Sequence, residues 1–341
     1  MIDAESLGFL ITVILIAVAF DFANGFNDAA NAIATVVSTR VMSPLAAVLM
    51  AAGMNFLGAI TGTAVAKTIA KGVVDPDGIT LVSVAGGVAA AAIWVFLASR
   101  GGMPVSGSHS LVAGVAGAGI AQAGWGVLVV EWTVGIGSGI QKILLGLAFS
   151  PILGFLVAYV IMLAIYWIFR RATPAMITTI FSKLQILTAA AMAFSHGSND
   201  AQKTMGIITL ALFVSPAFTM DTLEIPFWVI MLSGSVMAAG TYFGGYKVIR
   251  TLGVRIVNMR PVHGFAAESA AAGVIEMASR VGIPVSTTHV ITCSILGMGS
   301  TRRLSAVRWG VARGIVLAWI LTFPVCGLLG AGLYYLINLV A

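Results

Sequence analysis

The sequence predicts an all-α polytopic membrane protein built from two inverted-topology repeats of about five crossings each. Of its 341 residues, 59% are hydrophobic and only 9% are charged, and the mean hydropathy is +1.04. Soluble domains carry about a quarter charged residues, so a water-soluble enzyme is excluded. Apolar stretches of roughly 20 residues, the length that crosses the hydrocarbon core as a helix, recur along the whole chain.

A duplication of polar motifs is the second observation. Residues 22–44 align without a gap with residues 194–216, which pairs Asn27 with Asn199 and Asp28 with Asp200. Residues 99–109 align in the same way with residues 279–289. Because two motifs recur in the same order, the chain contains a duplicated half. We assign residues 1–171 to an N-terminal repeat and 172–341 to a C-terminal repeat.

The distribution of charge predicts that the two repeats are inverted. Lys and Arg concentrate on the cytoplasmic side of membrane proteins. Segment 247–260 carries four cations and no acid, whereas its counterpart, segment 67–77, carries two cations and two acids. Arginines also cluster at positions 302–313, while the matching region of the first half has only Glu131 and Lys142. Equivalent loops are therefore expected on opposite sides, and the net charge of +6 indicates topology rather than nucleic-acid binding.

The predicted crossings follow in order along the chain. Each half opens with a broken helix, over residues 7–41 and 184–213, in which an unwound Gly-x-Asn-Asp segment joins two half-helices. The remaining crossings are 45–66, 79–98, 103–123 and 141–168 in the first half, and 226–248, 261–280, 284–299 and 311–338 in the second. Alternatively, segments 99–108 and 279–288 are the tips of re-entrant hairpins. Both termini are expected outside, with the acids Asp3, Glu5, Asp75, Asp77, Glu131, Asp221 and Glu224.

Ionisable groups inside a bilayer are costly and indicate function. Unwound segments at the two Asn-Asp pairs would offer carbonyl, amide and carboxylate oxygens to a hard cation such as Na+, or a carboxylate to a proton. The predicted cation-binding residues are Asp28, Asn31, Asp200 and Glu268, with Asp28 and Asp200 as metal ligands if the ion is Na+. The alternative for the Asn-Asp pairs is a structural kink.

Other polar groups of the apolar segments have structural alternatives. Lys203 has the i,i+3 spacing of a helical partner for Asp200. Asp21 and Glu276 could lie near a helix end, and the three histidines could be satisfied core residues. The further candidates are therefore Asp21, Asn55, His109, His196, Lys203, Glu276 and His289.

The two Pro-Val-Ser stretches, residues 104–109 and 284–289, have the composition of helix starts. Proline is favoured at the first helical position and Ser or Thr at the N-cap. A helix N-terminus offers free N–H donors and a partial positive charge, which hold anions without a formal cation. A tetrahedral oxyanion is thus predicted to bind to Ser106, Gly107, Ser108, Ser286, Thr287 and Thr288. The alternative is that these residues are ordinary helix caps.

Inverted halves, broken helices and duplicated polar motifs are typical of secondary transporters. The chain contains no Gly-x4-Gly-Lys-Ser/Thr phosphate loop, so we expect an ion gradient rather than ATP to supply the energy.

The sequence resembles the PiT family of inorganic phosphate transporters. Residues 25–31, Gly-Phe-Asn-Asp-Ala-Ala-Asn, match the family signature Gly-x-Asn-Asp-x-Ala-Asn, and segments 195–203, 263–268 and 284–289 are similar to its second half. The resemblance implies import of phosphate by symport with Na+ or H+ across the cell membrane, through alternating access. It also implies phosphate-binding roles for Asn27, Asn199 and Gln202.

The resemblance implies phosphate, a coupling cation and the lipid bilayer as partners, with no cofactor and no nucleic acid; a homodimer is left open. Three other functions are also compatible with the sequence. They are a sulfate permease of the same superfamily, a passive anion channel, and an intramembrane hydrolase using Ser106 or Ser195 with His109 or His196.

Overall fold

The computed structural model describes residues 4–131, 139–218, 220, 222–244 and 246–340, and these are predominantly helical. The predicted all-α class is thereby confirmed. Asp3 and Asp221, which we assigned to outer loops, lie outside the described residues.

Twelve α-helices form the described part of the chain. Those of the first half are α1 (Ala4–Ser38), α2 (Pro44–Ala59), α3 (Ala64–Gly72), α4 (Leu81–Gly101), α5 (Gly107–Ala123) and α6 (Gly139–Ile168). Those of the second half are α7 (Pro174–Val214), α8 (Phe227–Phe243), α9 (Tyr246–Arg250), α10 (Pro261–Arg280), α11 (Thr287–Ser300) and α12 (Trp309–Asn338). Short elements connect them: a π-helical turn (Thr251–Arg255), 3-10 turns (Pro76–Gly78, Trp125–Val127, Leu304–Ala306) and a two-residue strand, β1 (Val130–Glu131).

Local sequence explains where several of these helices begin. Ser43 caps α2 by accepting a hydrogen bond from the Ala46 N–H, and Thr173 caps α7 by accepting one from the Met176 N–H. In both cases the next residue is a proline at the first helical position, where its missing N–H costs nothing. Gly102 caps the C-terminus of α4, and its φ of 68° is the left-handed conformation that glycine adopts without strain.

Among the described helices, α1, α4, α6, α7 and α12 are long and apolar enough to cross a bilayer. Two further spans result if each bent pair is counted as one. The α2–α3 pair bends by 70° and the pair formed by α8 and residues 247–255 bends by 66°. The predicted crossing 45–66 is therefore divided after Ala59.

The prediction of broken helices at the Asn-Asp motifs is wrong, because α1 and α7 run through both motifs without interruption. The glycines serve close packing instead. A Cβ at Gly25 would lie 2.7 Å from the Met237 carbonyl oxygen on α8, and one at Gly197 would overlap the Asn55 carbonyl oxygen on α2. The bends occur in the neighbouring pairs, α2–α3 and α8–α9.

The prediction of ten full crossings, five in each half, is also wrong. It places the α4–α5 turn and the α10–α11 turn on opposite membrane faces, yet the two are in direct contact. The Ser108 hydroxyl donates to the Val285 carbonyl oxygen over 2.9 Å, and the Thr288 hydroxyl oxygen lies 3.1 Å from the Val105 carbonyl oxygen. Both turns therefore meet inside the protein, which favours the alternative of re-entrant hairpins. If α4 belongs to such a hairpin, the remaining candidates for full crossings are α1, the α2–α3 pair and α6 in the first half, and α7, the α8–α9 pair and α12 in the second. Three per half is an odd number, so the expected inversion is unchanged and remains a prediction.

The helices of the two halves pack against one another in reciprocal pairs. The α1 helix packs against α8 while α7 packs against α2, and α5 packs against α12 while α11 packs against α6. Alanine and glycine dominate many of these contacts, which lets backbones approach closely where no hydrophobic effect drives association. The predicted boundary at residue 171 falls in the link between α6 and α7; the division into two repeats remains a prediction.

The close approach at Gly197 generates a test of stability. We expect Gly197→Ala to lower the thermal unfolding temperature in detergent, because the methyl group must displace the α2 backbone and such overpacking costs about 1–3 kcal/mol. The matched control is Gly273→Ala on α10, where a Cβ meets nothing within 4 Å. Equal unfolding temperatures for the two variants would contradict this packing.

Candidate functional site

Two carboxylates from the two halves meet at the centre of the molecule. Asp28 on α1 and Asp200 on α7 are each only 1% exposed. Together with His196 they present one potential ligand atom each, all within 4.8 Å of one another. We call Asp28 and Asp200 the acid pair. The structure thus brings together the two residues that the sequence predicts as metal ligands.

The N-terminus of α11 supplies hydroxyl groups to the acid pair. The Thr288 hydroxyl donates to Asp28 Oδ1 over 2.9 Å. The Thr287 hydroxyl lies 3.3 Å from Asp28 Oδ2 and 3.2 Å from Asp200 Oδ2, between the two carboxylates. Asn31 joins this group, because its amide nitrogen donates to Thr288 Oγ1 over 3.0 Å. Predicted cation ligands and predicted anion ligands therefore share one site.

Asp200 is neutralised by a buried lysine. The Lys203 ammonium group donates to Asp200 Oδ1 and, over 2.9 Å, to the carbonyl oxygen of Val285 in the α10–α11 turn. The Asn24 amide also donates to Asp200, over 3.2 Å to Oδ2. The i,i+3 pairing predicted for Lys203 is confirmed. Among the described residues, no lysine or arginine pairs with Asp28 in this way, although the two acids occupy aligned positions of the sequence.

His196 lies beside both acids, and its orientation is set by hydrogen bonds on its other side. The Thr241 hydroxyl donates to the Met237 carbonyl oxygen and accepts from the Asn55 amide nitrogen. The Asn55 amide oxygen, 2.9 Å from His196 Nδ1, therefore accepts the Nδ1 proton. His196 Nε2 is left facing Asp200 Oδ2 at 3.4 Å and Asp28 Oδ2 at 3.7 Å. A proton on Nε2 would add positive charge to the acid pair.

Several residues of the predicted anion site cap helices instead. Ser106 and Ser286 accept hydrogen bonds from the N–H groups of His109 and His289, and so form the N-caps of α5 and α11. Gln202 accepts from Val65 N–H over 2.8 Å and from Ala66 N–H over 3.3 Å, at the start of α3. Their side chains are engaged away from the acid pair.

The paired asparagines fasten the hairpins to α1 and α7. The Asn27 amide donates to Ser99 Oγ over 2.7 Å, and the Asn199 amide donates to Ser279 Oγ over 2.9 Å. Asn199 also accepts a hydrogen bond from the Val285 N–H. The side chains of Asn27 and Asn199 therefore hold the α4–α5 and α10–α11 turns against α1 and α7.

The N-terminus of α5 differs from that of α11 in what it presents. A Cβ at Gly107 would overlap the Asn24 side chain, so Asn24 covers this end of the helix. The Ser108 hydroxyl is engaged with the carbonyl oxygen of Val285. The predicted two-sided anion site is thus one-sided in this conformation, with α11 presenting its hydroxyls to the acid pair.

Glu268 does not join the acid pair. It accepts hydrogen bonds from the Thr35 hydroxyl, the Thr188 hydroxyl (2.6 Å) and the Gln185 amide (3.3 Å) in a fully buried pocket. Thr35 lies seven residues beyond Asp28, about 10 Å along the helix axis. A cation role for Glu268 would therefore belong to a second, separate site.

Asp21 is a counterpart of Glu268 on the other side of the acid pair. It lies seven residues before Asp28 on α1, is fully buried, and accepts a hydrogen bond from the Thr204 hydroxyl over 2.9 Å. Its Oδ2 atom has no hydrogen-bond partner among the described residues. Buried carboxylates thus stand at three levels along α1.

Other candidates have structural partners. Glu276 accepts from the Ser198 hydroxyl and pairs with Arg280 near the end of α10. His109 and His289 pack ring against ring at 4.4 Å between centroids, with Trp319 stacked on His289. The contacts of Glu276 match its structural alternative. His109 and His289 are packed in the core, but His109 Nδ1 and His289 Nε2 have no hydrogen-bond partner among the described residues, so these two are not satisfied core histidines.

Sequence reasoning missed Asn24 and Thr204, because neither is matched by the same residue in the other half: Asn24 aligns with His196 and Thr204 with Ala32. A signal for Asn24 existed in the spacing of polar residues. The side chains at positions 21, 24, 28, 31 and 35 recur every three or four residues and form a polar stripe on α1. Within the described residues, Asn24 Oδ1, Asn27 Oδ1 and Asn31 Oδ1 on this helix have no donor. Acceptor oxygens that are buried without a donor suit a cation.

The Lys203–Asp200 contact predicts a large loss of stability when it is broken. Lys203→Met should cost about 3–5 kcal/mol, because it leaves a buried carboxylate unpaired, and adding Asp200→Asn should restore part of the loss. Thermal unfolding in detergent measures both variants. The control, Arg280→Met, breaks the exposed pair with Glu276 and should cost about 0.2–1 kcal/mol. If Lys203→Met unfolds like Arg280→Met, the buried pair does not contribute as described.

Comparison with known proteins agrees with this geometry. The sequence profile of the "Phosphate transporter family" matches residues 24–330. A protein of Rhizobium meliloti named "Probable low-affinity inorganic phosphate transporter" is 42% identical over 339 residues, covering 98% of this chain and 99% of its own. A Bacillus subtilis protein of the same name is 41% identical and covers 97% of both chains.

A solved structure described as "The sodium-dependent phosphate transporter" has the same fold. It superposes with a TM-score of 0.85 at 28% identity, covering 98% of this chain and 100% of that one. The resemblance to PiT transporters is thereby confirmed, and the hydrolase alternative is excluded. The chain belongs to the phosphate transporter family, whose members are transport proteins and not enzymes.

Proposed function

We propose that this protein imports inorganic phosphate across the cell membrane by symport with Na+. The observation that carries the proposal is the acid pair of Asp28 and Asp200 lying against the hydroxyl groups of Thr287 and Thr288 at the N-terminus of α11. Carboxylates recruit a cation, and a helix N-terminus recruits an anion. The names of the relatives and of the solved structure support phosphate and sodium as these ions.

The cation step belongs to Asp28 in this proposal. Asp200 already has the Lys203 ammonium group as a partner, whereas in the described part of the chain the partners of Asp28 are hydroxyl donors and His196. The unpartnered amide oxygens of α1 add neutral oxygen ligands on the same helix. Na+ is a hard cation that prefers oxygen donors, so Na+ fits this set better than a softer metal ion.

Phosphate binding depends on the cation for an electrostatic reason. A phosphate dianion is repelled by two carboxylates in a medium of low dielectric constant. A bound Na+ neutralises Asp28, after which the N–H groups and hydroxyls of α11 and the Lys203 ammonium group are available to the anion. Phosphate transport is coupled to Na+ by this order of binding, because phosphate cannot bind while the acid pair has no bound cation.

Alternating access completes the proposed mechanism. The α4–α5 and α10–α11 hairpins meet at the site, so a relative movement of the predicted repeats would open the site first to one side and then to the other. We place both termini outside the cell membrane, following the predicted charge distribution. Glu268 is proposed as a separate proton carrier or gate.

The test is uptake of radiolabelled phosphate into proteoliposomes. An inward Na+ gradient should drive uptake, an inward proton gradient alone should not, and excess sulfate should not compete. Asp28→Asn should abolish gradient-driven uptake because it removes the charge that holds the cation. The control Asp75→Asn removes an exposed carboxylate and should leave uptake unchanged.

Each contrary result identifies a rival. Normal uptake by Asp28→Asn would overturn the site, and uptake driven by protons alone would overturn sodium coupling. Uptake without any gradient would favour a passive anion channel. Equal competition by sulfate would favour a sulfate permease.

A further inference from the structure

Two adjoining cavities lie at the ends of α6, α10 and α11, away from the acid pair. Their volumes are about 270 Å³ and 290 Å³. Tyr166, His263 and Arg302 line both cavities, so the two form one groove. We call it the basic groove. Nothing in the proposed transport cycle uses it.

The basic groove is lined by positive charge. Arg260 and Arg302 line the first cavity, and Arg302, Arg303 and Arg308 line the second. No acidic side chain lines either cavity, and across the described ranges none of these four arginines forms an ion pair. The α10 helix begins at Pro261 beside the groove and adds the partial positive charge of its N-terminus. The groove therefore has the electrostatics of an anion site.

One wall of the groove is apolar, and the aromatic side chain of Tyr166 lines both cavities. Pro174, Ile177 and Val262 line the first cavity beside the arginines. Trp167 and Trp309 follow the lining residues Tyr166 and Arg308 in the sequence, and they are 70% and 46% exposed. Exposed Trp and Tyr side chains collect at the level of lipid headgroups. An anion with an apolar portion fits this combination better than a small inorganic ion does.

We propose that the basic groove binds the phosphate group of an anionic phospholipid, with the upper part of an acyl chain against the apolar wall. Arginine suits a phosphate because its planar fork donates two parallel hydrogen bonds. The lipid would lie in the leaflet that faces the predicted cytoplasmic side, where basic pockets between helices bind anionic headgroups. It would hold together the base of the α10–α11 hairpin, whose tip carries Thr287 and Thr288. This inference does not depend on the substrate or the cation of transport.

Native mass spectrometry and thermal unfolding of the purified protein test this site. Phosphatidylglycerol should remain bound and raise the unfolding temperature, and phosphatidylcholine at the same mole fraction should not. The double variant Arg260→Gln/Arg302→Gln should bind phosphatidylglycerol about tenfold or more weakly, because it loses charge-assisted hydrogen bonds. The control Arg100→Gln/Arg280→Gln removes the same charge from side chains that line neither cavity and should bind like the parent protein.

A conservative variant and a soluble probe complete the test. Arg302→Lys should fold normally and bind phosphatidylglycerol with intermediate affinity, so a folding defect in the double variant does not decide the result. Equal binding of the two lipids, or equal loss in the control variant, would overturn the site. Stabilisation by glycerol 3-phosphate at the affinity of the lipid would assign the groove to a free phosphate ester and overturn the lipid proposal.

Discussion

The helices that surround the site must offset the electrostatic repulsion between two carboxylates buried in the interior of this membrane protein. Asp28 and Asp200 present oxygens within 4.8 Å of each other, and two unit charges at such a separation repel by about 3–4 kcal/mol even at an effective dielectric constant of 20. Polar groups from several helices offset this cost. Lys203 neutralises one acid, the threonines of α11 donate to both, and Asn24 and His196 approach from the remaining sides. With Lys203 charged and His196 neutral, the cluster would carry one net negative charge, which the Na+ of our proposal would balance.

The internal symmetry of the chain is broken at positions that matter for this charge. Asn24 aligns with His196, and Asn31 aligns with Lys203. Each repeat therefore contributes an acid, but the second repeat also contributes the ionisable groups beside it. The two halves also differ in the hydroxyl groups that they contribute. The α11 helix presents Thr287, whereas the aligned position on α5 is Gly107, which Asn24 covers. Two similar halves thus form a site in which Lys203 is a fixed cation and, in our proposal, Na+ is an exchangeable one.

The sequence predicted the composition of the site better than its local structure. Asp28, Asp200 and Asn31 were identified because polar groups are costly inside apolar segments, and the repetition of Asp28 as Asp200 indicates a shared role. Thr287 and Thr288 were identified because a helix N-terminus can hold an anion. The broken helices were wrong because glycine beside polar residues fits either an unwound segment or a close helix contact, and only tertiary packing distinguishes the two. Capping by Gln202 and the separation of Glu268 likewise depend on which helices become neighbours. The α4 helix is long enough for a full crossing, so its length gave no sign that its end meets another hairpin inside the protein.

In our proposal, the cation and the anion share one site through Thr287. The most direct measurement is equilibrium binding of labelled phosphate to the purified protein over a range of Na+ concentrations, together with Na+ binding over a range of phosphate concentrations. Each ion should raise the affinity for the other by the same factor, about 5- to 150-fold, because linkage between binding sites is reciprocal. Thr287→Ser should keep this coupling and Thr287→Val should lose it. Phosphate affinity that does not change with Na+, or full coupling in Thr287→Val, would contradict a shared site.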